Sequence, residues 1–150
     1  MKKKKKEPSK VGKKQIFLID IEPYAQDLLV VMNGDFKTAY EWFLKKRKQG
    51  KISKNGEDTI KHIEDNKEEY FEKPSKQNQG MLYHSLPSGY VMTLNHQSSW
   101  IETVGVVVHE SVHLAHHLGQ RVGLKLSNDS EEAYTYLVEK TVERILAKIF

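Results

Sequence analysis

A chain of 150 residues with 38% apolar and 29% charged residues is one domain's worth of sequence, long enough to bury a core of its own. It contains no cysteine, which excludes a disulfide framework and any thiolate metal site, so a bound metal would need His, Asp or Glu ligands. The charge is uneven: eight lysines against Glu7 make residues 1–14 +7, while the whole chain is +4.

That lysine-rich stretch, with Pro8, Ser9 and Gly12 and almost nothing apolar, reads as a disordered, solvated arm over residues 1–14, ahead of one folded domain at 15–150. Weak contact with nucleic acid through the arm is its functional alternative. The apolar run IFLIDI is interrupted by Asp20 and too short for a signal-peptide core, and no stretch approaches a membrane span. The expectation is a cytoplasmic protein with no membrane association.

Residues 15–21 and 28–32 read as two short buried strands separated by a turn at Pro23 and closed by Asn33 and Gly34. Asp35 can cap a helix through FKTAYEWFLKKRKQ, in which Phe36, Ala39, Tyr40 and Phe43 recur at helical spacing before Gly50 stops it. Residues 51–79 are polar and suggest one amphipathic helix using Ile60 and Ile63, with His62 on the surface. MLYHSLPSGYVMTLN reads as a hairpin turning at Pro87, Ser88 and Gly89, with Tyr90, Met92 and Leu94 on one face of its second strand.

The stretch VVVHESVHLAHHLG carries four of the seven histidines. Ser99 and Glu102 have capping-box spacing, so a helix can start near Trp100, and Gly119 is placed to end it. At about 100° per residue, Val104, Val107, Val108, Val112, Ala115 and Leu118 form an arc to be buried. Glu102, Val106, His109, Glu110, His113, His116 and His117 fall on the opposite arc, which would line a cleft. His109, Glu110 and His113 form H-E-x-x-H. Residues four apart sit on adjacent turns, so two neutral imidazoles can reach one zinc ion while the intervening glutamate serves as general base. A catalytic zinc takes three protein ligands. His116 and His117 project along the same helix face and suit substrate contact or the rim. The third ligand is better sought in SEEAYTYLVEKTVERILAKIF, a second long helix, where Glu131 and Glu132 follow a cap at Asn128 or Asp129. Glu131 lies nearer the helix's apolar stripe of Tyr134, Val138, Thr141, Val142 and Ile145.

VVVHESVHLAHHLG together with SEEAYTYLVEKTV resembles the small zincin-like metallopeptidases encoded by bacteriophages, within the broader gluzincin group of HExxH-plus-Glu enzymes. The likeness is sharp over residues 99–142 and looser before them. It implies a zincin-like α+β fold: a small mixed or antiparallel sheet, an HExxH active-site helix and a C-terminal third-ligand helix. By the same resemblance His109 and His113 are zinc ligands, Glu110 is the general base, and Glu132, which directly precedes Ala133, is the third ligand. Thermolysin-like relatives have a helper Asp four residues later, where this chain has Tyr136; its hydroxyl could brace the ligand carboxylate. His116, His117, Tyr134 and Tyr136 all stay open as oxyanion partners. The resemblance further implies a peptide or protein substrate that adds to an edge strand, expected at 89–95, with Asn95, His96 and Gln97 near it. The implied setting is the cytoplasm of a phage-infected or prophage-bearing bacterium. The expected activity is zinc-dependent hydrolysis of a peptide bond by a metal-activated water. The rival reading is a non-catalytic module, zinc-stabilised or virion-associated.

Overall fold

Leu28, Leu29, Val30, Val31 and Met32 are all at most 2% exposed, which requires cover on both faces of the strand that carries them. A computed structural model, describing residues 12–21, 24, 26–72 and 79–150, shows how this is met. The strands are β1 (Gln15–Ile21), β2 (Gln26–Met32), β3 (Gly80–Leu86) and β4 (Gly89–Leu94). They form one mixed sheet in the order β1-β2-β4-β3, with β1/β2 and β4/β3 antiparallel and β2/β4 parallel. The fold is therefore α+β with a small mixed sheet. The edge expected at 89–95 is corrected: β4 is interior, buried at every position, and the edge strands are β1 and, next to β4, β3. The β4 run of Tyr90, Val91, Met92 and Leu94 has an apolar layer to fill on either side.

Helices α1 (Phe36–Lys48) and α2 (Lys54–Asp65) cover one face of the sheet. Asp35 caps α1 by accepting from the Thr38 N–H at 3.0 Å, and Gly50, at φ +67°, ends the run. Phe36, Ala39, Phe43, Ile60 and Ile63 join Leu29, Val31 and Val91 in this core. A short π-helical segment, Glu68–Glu72, stacks Tyr70 on Phe36 with ring centroids 4.5 Å apart. It also corrects the surface reading of His62, which is half-buried with Nε2 3.0 Å from the Tyr70 hydroxyl oxygen.

On the other face lie α3 (Trp100–Arg121) and α4 (Glu131–Ile149). Leu28, Val30 and Met32 meet Val107, Leu114 and Leu118 of α3 and Leu137, Ile145 and Ile149 of α4. The capping box at the start of α3 is formed, with Ser99 Oγ accepting from Glu102 N–H at 3.2 Å and Glu102 Oε2 accepting from Ser99 N–H at 3.1 Å. Two boundaries are corrected. The helix runs through Gly119 to Arg121, and the left-handed glycine that follows it is Gly123, at φ +75°. The cap residue of α4 is Ser130, not Asn128 or Asp129; its hydroxyl accepts from Ser127 N–H, and no side chain caps the helix.

The lysine-rich arm at 1–11 and the turn at Pro23 lie outside the described residues. The carbonyl of Lys13, at the end of the expected arm, accepts from Asn33 Nδ2 at 2.8 Å. Among the described residues no helix is long and apolar enough to cross a membrane.

Candidate metal centre

Helix α3 sits on the sheet turned by about one residue from the expected orientation. Val108 and Val112 are 38% and 52% exposed, whereas Val106 and Glu110, placed on the open arc by the sequence, are 9% and 5% exposed. The cause is Gly80 at the start of β3. A Cβ there would stand 2.9 Å from Val106 Cγ1 and 3.1 Å from Glu110 Cγ, so only glycine lets the edge strand pass this close. The buried stripe thus runs Thr103, Val106, Val107, Glu110, Leu114 and Leu118.

His109 and His113 stay exposed beside that stripe. Their Nε2 atoms are 3.1 Å apart and the rings are nearly perpendicular, with centroids at 4.8 Å. Two nitrogen ligands of a tetrahedral zinc, each at about 2.0–2.1 Å, lie roughly 3.3 Å apart, so this donor pair suits one shared ion. Glu110, one residue on, turns under β3, where its carboxylate accepts from the Leu82 N–H. Burial pushes the Glu110 carboxyl above the ordinary carboxylate range; the facing His109 and His113, and the Leu82 hydrogen bond, pull the other way.

The histidine row continues along the β3 side of α3. His117 stacks on His84 of β3 at 3.6 Å with the planes 9° apart, and His116 meets His117 edge-on at 5.6 Å. Burial, then the neighbouring His84, His116 and His113, hold the His117 imidazole below its ordinary pKa. Arg121, one turn beyond, donates to the His84 carbonyl at 3.1 Å. His84 was missed from the sequence. Its signal was the period of two that puts Gly80, Leu82 and His84 on the strand face turned to α3.

Glu131 and Glu132 are exposed in the first turn of α4. Among the described residues no group of three or more His, Asp or Glu side chains is gathered to hold an ion, so the structure brings His109 and His113 together and does not bring either glutamate to them. Tyr134 explains the offset: its hydroxyl packs on Gly119 and donates to the Leu124 carbonyl at 2.8 Å, tying the start of α4 to the end of α3. Gly119 is six residues beyond His113, about 9 Å along a helix rising 1.5 Å per residue. Tyr136 is 52% exposed with the Lys140 ammonium 5.7 Å from its ring centroid. The loop before α3 is bound up in structure. Asn33 accepts from His96 N–H at 2.9 Å and meets His96 Nδ1 at 2.8 Å, while Gln97 N–H donates to Thr103 Oγ1 at 3.0 Å. Asn95 N–H donates to the Gln79 carbonyl at 2.8 Å. These bonds fix the course of the loop that leads from β4 into α3.

Comparison with family models, curated proteins and solved structures finds no match to this chain.

Proposed function

We propose that this protein is a zinc-dependent peptide hydrolase of zincin-like type, with His109 and His113 as ligands and Glu110 as general base. The observation that carries the reading is the approach of the two Nε2 atoms to 3.1 Å on a helix face beside the edge strand. Zinc, when bound, supplies a Lewis acid that lowers the pKa of a water to about 7 and polarises a carbonyl. The chain's own part begins with β3, whose open edge can pair with an extended peptide and present it along α3. Glu110 then accepts a proton at its carboxylate and passes it to the leaving amine; burial favours the protonated form that the second transfer needs. Glu132 as third ligand rests on the likeness to HExxH-plus-Glu enzymes, with Glu131 as its competitor.

The test is zinc content and peptide cleavage in purified protein. Wild type should hold one zinc, and His113→Ala should lose it. Glu110→Gln should keep the metal while losing about 10²–10⁴-fold in turnover, the usual share of a general base. Zinc affinity in Glu132→Gln against Glu131→Gln decides the third ligand. A wild-type chain that takes up no zinc with both histidines intact ends the proposal.

The exposed, ungathered glutamates favour one second reading, a zinc-stabilised module that cleaves nothing. Zinc would then raise the melting temperature, and Glu110→Gln would be without effect on any peptide.

A further inference from the structure

Strand β1 (Gln15–Ile21) closes one end of the sheet, and among the described residues no strand lies on its outer side. It pairs with β2 in unbroken register from Gln15↔Met32 to Ile21↔Gln26, contains neither Pro nor Gly, and carries Asp20 as its single charge. A regular, largely apolar edge of this kind is a template for another strand. The other edge strand, β3, shifts register between Tyr83 and Leu86.

Two hydrogen bonds show which backbone groups of β1 face outward. In an antiparallel pair, residues bonded across to the neighbour alternate with residues whose N–H and C=O point away from it. The Lys13 carbonyl turns inward to Asn33, which follows β2, so positions 14, 16, 18 and 20 turn outward. The Asp20 carbonyl agrees, since it accepts from the Arg144 guanidinium of α4. Ile16 and Leu18 hold the outward groups at the centre of the strand.

The side chains fit the same partner. Leu18 is 49% exposed, whereas Ile19 and Ile21 are 4% and 2% exposed. Lys14 and Asp20, both exposed, flank Ile16 and Leu18 on one face of the strand. Asp20 also stands directly across from Asp27 of β2, a like-charge neighbour that a cation alongside would relieve. If β1 pairs antiparallel with itself about Phe17, Lys14 meets Asp20 and Ile16 meets Leu18. Each pair occurs twice, because a two-fold interface repeats every contact.

We propose that β1 pairs in this register with β1 of a second copy of the chain, joining two four-stranded sheets into one continuous sheet. Ile16 and Leu18 then form a ladder of about four backbone hydrogen bonds, Leu18 is covered by Ile16 of the other copy, and Lys14 brings a cation to Asp20. The contact uses none of the histidine row and stands whether or not the chain hydrolyses peptides.

Sedimentation equilibrium of the full chain over about 1–500 μM at low salt is the test. The mass should rise from 17.4 kDa towards twice that value, with a Kd below about 100 μM, as suits a small interface. Asp20→Lys sets like charges opposite each other at both ends of the ladder and should weaken the dimer at least about fivefold. Its circular dichroism should be unchanged, because the side chain is exposed and the substitution ends the like-charge contact with Asp27. The Lys14→Asp/Asp20→Lys double variant restores opposite charges in this register alone and should return to within about twofold of the wild-type Kd. A chain that stays monomeric throughout the range overturns the proposal. So does a dimer that is indifferent to Asp20→Lys, or one that the double variant does not restore.

Discussion

Glu110 is held in two environments at once. Its backbone belongs to the helix turn that presents His109 and His113 to solvent, yet its carboxyl group is buried under β3 on the Leu82 N–H. A carboxyl whose pKa is raised on folding contributes stability that is present below the unfolded value, near 4.3, and is lost as pH rises through the higher folded value. In metal-free protein Glu110→Gln should therefore raise the melting temperature at pH 7, and the gain should vanish toward pH 4; a pH series of thermal melts measures it. Gly80 is the other residue on which the site depends. Gly80→Ala drives a methyl into Val106 and Glu110, and since the branched Val106 cannot swing aside, it should cost about 1–3 kcal/mol by overpacking. Zinc affinity should fall with it, because the same turn carries His109. Chemical denaturation and zinc titration of the one variant check both outcomes.

At the scale of elements, α3 is specified at its start by local chemistry and along its length by packing. Both hydrogen bonds of the Ser99–Glu102 box are made, so Ser99→Ala should cost about 1 kcal/mol, or roughly 2–4 °C of melting temperature for a domain of this size. Which side of the helix is buried was a harder matter. Val104, Val107, Val108 and Val112 offered a plausible apolar arc, but the wheel has no term for a neighbouring strand that lacks a side chain. Gly80 admits Val106 and Glu110 instead, leaving Val108 and Val112 in water. Gly119 teaches the same lesson at the other end. Read locally it was a helix terminator, whereas it is the seat of the Tyr134 ring, and a Cβ there would stand 2.6 Å from Tyr134 Cζ. Gly119→Ala should loosen the α3–α4 contact and lower the melting temperature far more than a surface glycine such as Gly105, where a Cβ meets nothing within 4 Å.

Across the whole molecule, one sheet divides two apolar layers, and β2 and β4 belong to both. Met92 lies in the layer under α3 and α4, Ile60 in the layer under α1 and α2, and each is at most 1% exposed. Met92→Ala and Ile60→Ala should each cost about 2–5 kcal/mol. Because the layers share their strands, both variants should shift one transition, with far-ultraviolet circular dichroism and tryptophan fluorescence melting together.

What the sequence by itself determined is what nearest neighbours along the chain decide. The caps at Asp35 and Ser99, the turn at Pro87 to Gly89, the unbroken apolar run of β2 and the adjacency of His109 and His113 depend on residues within about four positions, where propensity and helical geometry are enough. The tertiary structure alone decided that β4 is interior and β3 an edge, that Gly80 draws Glu110 under the sheet, and that His84 stacks on His117. It also set the first turn of α4 beside Gly119, through the Tyr134 ring. Each of these turns on which surfaces meet after residues distant in the chain are brought together. A side chain's burial is then set by the shape of its partner, which no local period encodes.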